Sequence, residues 1–383
     1  MGAPLVADAL IEQAIKRTGL DRFDSESYRE GLDILLADAN RTGLSEAGHA
    51  RMETSIVDLL ANRLKTTDYL AGRPELLDRP VERPVFVFGI PRTGTTLVSN
   101  LLACDPARRS ALSWEIDDPV PPATSATLKS DPRAIARLEQ EKAMLAARPE
   151  MGKYYRNSAV YPNECIFFMA QDFKALALES RGKLPHYRDW LFATDMTSAY
   201  EYHKRYLQVL QADAPGVWNL KMPSHGLWID TLLKIYPDAR LVWTHRDPFT
   251  AMGSFCSIIS LAHMGFMGRV DAAWLGENCS YQAVEHANRI MDTRDRLGRS
   301  SMADVHYADL TNDPIGTMRN LYAALGDDFT AEAEAGMQSW LDDNPQNKFG
   351  RHEYKLAQYG LSVEQLAPRF ERYLSHYHVA KEG

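Results

Sequence analysis

The first 80 or so residues carry apolar positions at helical spacing: Ile11, Ile15 and Leu20, then Leu32, Leu35 and Leu36, then Ile56, Leu59, Leu60 and Leu64. Side chains three and four apart share one face of a helix. No reactive grouping accompanies them, and the stretch reads as a helical N-terminal cap over residues 1–80. Ser45-Glu-Ala-Gly within it is too weak a pattern to be taken as a capping box. At Val85 the pattern changes. Val85 to Phe88 is a wholly apolar run between Pro84 and Gly89, the pattern of a strand buried on both faces of a parallel sheet. Leu97, Leu101 and Leu102 then open a helix that Asp105-Pro106 stops, and the proline-rich passage Ser113 to Pro122 has no core-strand character. Residues 131 to 148 form a heavily charged helix. Val217 to Lys221, a helix through Ile229, Leu232, Leu233 and Ile235, and the apolar run Ala239 to Thr244 make a strand, helix, strand unit of the kind that joins parallel strands. A last short strand runs from Ala303 towards Tyr307, before a helix with Met318, Leu321, Tyr322 and Leu325.

The first apolar strand leads directly into Gly89-Ile-Pro-Arg-Thr-Gly94-Thr-Thr. Glycines let the backbone amides turn inward, and the following helix points the positive end of its dipole at the same place, an arrangement that binds phosphate. The spacing of Gly89 and Gly94 matches the first half of the nucleoside-triphosphate loop, but Thr95 stands where that loop has its lysine. A cradle of this kind suits a donor whose 5′ group is not a triphosphate. The fold expected is an α/β, P-loop-type three-layer fold with a central, mostly parallel sheet and an N-terminal helical region. Residues 81–383 would form the α/β domain, with a helical insertion at about 130–215.

Pro91 to Thr96 match the 5′-phosphosulfate loop of the sulfotransferases that use 3′-phosphoadenylyl sulfate (PAPS), Pro-Arg/Lys-Ser/Thr-Gly-Thr-Thr. A second match lies after the second strand: Arg246 before Asp247-Pro248, with Ser254 on the next helix, resembles the signature that binds the nucleotide's 3′-phosphate. The resemblance covers roughly residues 84 to 375. It implies that Arg92 touches the sulfuryl group or the bridging oxygen, that Thr93, Gly94, Thr95 and Thr96 hold the 5′-phosphate, and that Tyr307, in a Tyr-x-Asp-Leu segment, contacts adenine. The tail from Asn347 to Leu361 resembles the terminal segment of bacterial members, where Lys348, Arg351 or Lys355 could add charge to the 3′-phosphate. Leu97 replaces the tryptophan of the cytosolic small-molecule enzymes, and Lys221-Met-Pro-Ser-His225 is spaced more widely than their Lys-x-His. Arg92 brings the chain close to the tyrosylprotein sulfotransferases and a bacterial group.

In-line sulfuryl transfer needs cations, for which Arg92 and Lys221 are the candidates, and a base for the acceptor proton. Two residues compete for that role. Glu115 stands where the tyrosylprotein enzymes place a catalytic glutamate, and His225 in the general region where the cytosolic enzymes place a histidine. The product would be adenosine 3′,5′-bisphosphate (PAP), and no magnesium is required. The alternatives are a P-loop kinase, which lacks its loop lysine here, and a non-catalytic adenine-nucleotide-binding protein.

A net charge of −8 over 383 residues argues against nucleic acid as a partner. The N-terminus has no signal-peptide pattern and no run approaches the length of a membrane span, so a cytoplasmic location is expected. Cys104, Cys165, Cys256 and Cys279 are scattered, and His376 and His378 have no third ligand nearby, so no disulfide framework and no metal site is expected. Tyr154, Tyr155, Tyr161, Phe167, Phe168, Met169 and Phe173, followed by Trp190, Phe192, Tyr200, Tyr202 and Tyr206, are read either as core or as the lining of an acceptor pocket. With Phe255, Met264, Phe266 and Met267 they favour a small-molecule or lipid hydroxyl acceptor with an apolar or aromatic body.

Overall fold

The computed structural model describes residues 3–147, 158–345 and 355–382. Among these, five parallel strands form one sheet in the order β2-β3-β1-β4-β5, where β1 is Val85–Gly89, β2 Arg108–Arg109, β3 Val217–Lys221, β4 Arg240–His245 and β5 Met302–His306. β1 is apolar throughout because it is the middle strand, with a core on each face. Phe86 and Phe88 enter the larger core with Leu241 and Trp243 of β4, while Val85 and Val87 enter the smaller one with Val242. That is the period of two that a pleated strand imposes.

β3 and β4 are parallel, as their pattern predicts, but they are not neighbours. β1 lies between them, with Val85 opposite Asn219 on one side and Arg240 on the other. The chain therefore moves to one side of β1 to build β2 and β3, and to the other to build β4 and β5. Such a reversal opens a crevice at the carboxyl ends of the strands. β2 has no apolar run to announce it. Its Arg108 is buried by polar partners instead, donating to the Tyr322 hydroxyl (3.0 Å) and the Asn219 side-chain oxygen (3.0 Å).

Helices Ala7–Thr18, Ser27–Ala39 and Glu46–Ala71 precede the sheet, and their Leu32, Leu35, Ile56 and Leu60 share the larger core with Phe168 and Tyr206. Ser45 caps the third of these, accepting from the Gly48 amide at 3.0 Å. Arg63, fully buried, ties this region to the segment between β2 and β3. It donates to Asp24 (2.8 Å), to Asp172 (2.8 Å) and to the Gln171 carbonyl (3.0 Å), and stacks 4.6 Å above the Tyr202 ring. A buried guanidinium is tolerated only when its donors are matched in this way.

Helix Pro248–Met267 is long and apolar enough to cross a membrane by length and composition, against expectation. In the fold it begins at a cap, Asp247 accepting from the Phe249 amide (3.0 Å), and buries Ala251, Met252, Ser254, Cys256 and His263.

Burial holds His245, His263 and His286 neutral, each with its pKa lowered to about 4, and raises Glu179 to about 7. Between pH 6.5 and 4.5 the unfolded chain binds protons at these imidazoles and at those of His203 and His225, likewise lowered by burial, that the native state refuses, while native Glu179 binds one that the unfolded state lacks. The net deficit of protons in the native state makes unfolding easier, by several kcal/mol, as pH falls through this window. Urea unfolding at pH 7.0 and 5.5 should show that loss, and equal stabilities would contradict this assignment of the histidines.

Candidate active site

The crevice beside β1 gathers the residues that the two motifs single out. β1 ends at Gly89 and the chain turns through Ile90 to Gly94 into helix Thr95–Leu102. Gly94 has φ of 100°, and a Cβ there would stand 2.9 Å from the Tyr307 ring. Glycine is required on both counts. Thr93 is buried and turned inward, its hydroxyl donating to the Ile90 carbonyl (2.7 Å) and lying 2.6 Å from that of Thr244. It therefore holds the loop's shape, and of this residue only the backbone remains for a ligand.

Cations come off the ends of three strands. Arg92, in the β1 loop, donates through Nε to the Ser254 hydroxyl (3.0 Å). Lys221, the last residue of β3, donates to Glu164 (2.7 Å) and lies 3.4 Å from the Thr96 hydroxyl. Arg246, just after β4, donates to the Arg92 carbonyl (3.2 Å) and stacks 4.0 Å above the ring of Tyr307, the residue that follows β5. Arg246 also makes a two-pronged pair with Glu382 (2.6 and 2.7 Å). The Glu382 carboxylate takes the place that an anionic oxygen of a ligand would occupy on this fork.

The two candidate bases lie elsewhere than expected. Glu115 is fully buried; one oxygen accepts from the Leu112 amide (3.0 Å), closing the N-terminus of helix Ser113–Asp117, and the other pairs with Arg109. Both oxygens are committed, one to the cap and the other to Arg109. His225 is fully buried as well, its Nδ1 2.9 Å from the Tyr200 hydroxyl, and burial lowers its pKa well below the ordinary range. Glu164 instead meets Lys221 directly and is partly exposed, and sequence reasoning missed it. Its sole sequence signal is a carboxylate set among aromatic and apolar residues, in Tyr161-Pro-Asn-Glu-Cys165.

The aromatic stretch divides. Phe168, Phe173, Tyr200, Tyr202 and Tyr206 are core, whereas Phe167 is exposed; Tyr154 and Tyr155 lie outside the described residues. Lys348 and Arg351 lie outside them too, and Lys355 is exposed.

Fold and site together define a nucleotide-handling α/β protein of the P-loop type. The profile of the sulfotransferase family matches residues 84–331. Sulfotransferase STF9 from Mycobacterium avium has a crystal structure that superposes with a TM-score of 0.94 at 41% identity, covering 99% of this chain and 98% of that one. For sulfotransferase STF1 from Mycobacterium tuberculosis H37Rv the TM-score is 0.86 at 32% identity, over 96% and 98%. The omega-hydroxy-beta-dihydromenaquinone-9 sulfotransferase Stf3 of Mycobacterium bovis is 24% identical over 291 residues, 74% of this chain and 71% of its own. The chain belongs to the sulfotransferase family, and the two solved structures it superposes on here are bacterial.

Replacing Glu115 by Ala should leave Arg109 buried without a counter-charge and remove a cap, costing about 3–5 kcal/mol. Urea unfolding reads this directly. A Glu115→Ala protein of native stability that has lost only turnover would restore Glu115 as the base.

Proposed function

We propose that the protein transfers the sulfuryl group of PAPS to a hydroxyl on an apolar, lipid-like acceptor. The observation that carries this reading is the convergence of Arg92, Lys221 and Arg246 on one amide-lined loop, with the Glu164 carboxylate 2.7 Å from Lys221. A P-loop kinase does not fit membership of the sulfotransferase family. Arg246, already able to grip a carboxylate with both prongs, suits a 3′-phosphate, with Ser254 beside it through Arg92. Tyr307, beneath Arg246, offers an aromatic edge for adenine.

PAPS supplies the sulfuryl group and the PAP leaving group; the chain supplies position and charge. Loop amides and Arg92 hold the 5′ side, and Lys221 offsets negative charge as it builds on the leaving oxygen. Such preorganised charge is worth most when water is excluded. Glu164, held at Lys221 by a 2.7 Å hydrogen bond, takes the proton of the acceptor hydroxyl. For the acceptor, two observations agree. Helix Pro248–Met267, which brings Ser254 to the site, leaves Ile258, Leu261 and Met264 exposed, and Phe167, three positions from Glu164, is exposed as well. The Stf3 relative is named for a hydroxylated menaquinone, a lipid.

Four measurements test the reading. PAP should raise the melting temperature clearly more than 5′-AMP, a few kcal/mol of linkage at saturating excess, and equal shifts would exclude recognition of the 3′-phosphate. Glu164→Gln should lower kcat with an alkyl alcohol by about a hundredfold or more while PAP affinity stays within a few fold, and an unchanged kcat would remove Glu164 from the reaction. Glu382→Gln should tighten PAP binding by vacating Arg246, whereas Arg246→Ala should weaken it. Absence of transfer to any phenol, sterol, lipid or sugar with labelled PAPS would leave a nucleotide-binding protein.

A further inference from the structure

Directly behind Glu164 lies a cluster that the transfer reaction does not use. Cys165 precedes helix Ile166–Met169, and its amide donates to the Lys221 carbonyl (3.0 Å). His203 is on helix Thr197–Leu210, and His225 is in the turn Pro223–Leu227 that follows β3. All three are fully buried, and their sulfur and ring-nitrogen donor atoms lie within 4.8 Å of one another. His376 and His378 have no part in it.

The hydrogen bonding of the two imidazoles is one-sided. His203 Nδ1 is 2.7 Å from the Tyr236 hydroxyl and His225 Nδ1 is 2.9 Å from the Tyr200 hydroxyl, while Nε2 of each has no hydrogen-bond partner. With the tyrosine oxygens accepting from Nδ1–H, both Nε2 lone pairs are left inside the protein with a thiol for company. Phe86, 4.9 Å from the His225 ring, and Phe168, 5.6 Å from that of His203, wall the space with hydrocarbon. Unpaired polar atoms in such surroundings are costly. An imidazole whose outer nitrogen is fixed by a hydrogen bond while the inner one stays open is the arrangement of metal-ligating histidines.

We infer that Cys165 Sγ, His203 Nε2 and His225 Nε2 bind one thiophilic d10 ion, copper(I) or zinc(II). One sulfur and two imidazole nitrogens exclude the hard, oxygen-seeking magnesium and calcium. Metal–sulfur and metal–nitrogen bonds of about 2.3 and 2.0–2.1 Å set the donor atoms roughly 3.5 Å apart, so the side chains close on the ion by about an ångström. On binding, the Cys165 thiol gives up its proton and the thiolate takes the metal in its place. A monovalent ion then leaves the site neutral, which suits its burial; a divalent one leaves it with a positive charge and calls for a fourth ligand. The ion would pin the segment carrying Glu164 to the turn that follows Lys221, and it takes no part in the transfer. Sequence gives no sign of the site because the ligands come from three separate segments, without a Cys-x-x-Cys pair.

The full chain, expressed separately in copper- and zinc-supplemented medium and desalted, should retain about one equivalent of one of these metals by mass spectrometry. X-ray absorption at that metal's edge should show one sulfur and two nitrogen neighbours, and identify which ion the site prefers. Cys165→Ser and His203→Gln should each lose at least nine-tenths of the metal, and His376→Gln should lose none. Metal content below a tenth of an equivalent in both media, or equal content in wild type and Cys165→Ser, overturns the proposal. Where a variant fails to fold, a wild-type absorption spectrum without a sulfur neighbour does the same.

Discussion

The site depends on how closely the carboxyl ends of β1 and β4 approach. Gly89 lies opposite Thr244, and a Cβ on Gly89 would stand 2.6 Å from the Thr244 carbonyl oxygen and 2.7 Å from its hydroxyl. Only glycine lets the strands keep their register there. The space so saved is filled by Thr93, whose hydroxyl meets that of Thr244 and draws the loop down over the strand ends. The backbone at Arg92 is then left at φ 74°, a left-handed conformation that costs a non-glycine residue roughly 1–3 kcal/mol. In return the Arg92 side chain reaches across to Ser254 on the helix that follows β4. One strand contact therefore joins the two phosphate signatures.

Two cations of the site have carboxylate partners. Lys221 is paired with Glu164 and Arg246 with Glu382, and these carboxylates are partly exposed. Two pairs elsewhere are buried on both sides instead, Arg63 with Asp172 and Arg109 with Glu115. The distinction separates structure from function. Breaking a buried pair strands a charge, whereas an exposed carboxylate can be exchanged for a ligand anion at little cost.

The larger core takes part in this directly. Helices from the N-terminus and from the segment between β2 and β3 share it with Phe86 and Phe88 of β1. Packing that continuous with the middle strand leaves the loop and Lys221 on a rigid floor, so their positions are set by the core rather than by the ligand.

Short-range chemistry is what the sequence by itself determined. The apolar runs of β1 and β4, the glycine turn between strand and helix and both phosphate signatures each depend on residues a few positions apart, and all were legible. β2 was not, because it consists of two arginines, of which Arg108 is held by distant Tyr322 and Asn219, and so leaves no apolar run. Nor was the place of β1 between β3 and β4, since strand order depends on which edges pair and not on any local pattern. The same reason bears on the candidate bases. Glu115 and His225 had suitable side chains near suitable motifs, but burial depends on how remote segments pack, and it closed both of them in while Glu164 lies beside Lys221. A sequence specifies which groups a chain can offer; which of them face the site, and which face one another in the core, was settled only when the helices between β2 and β3 folded against the sheet.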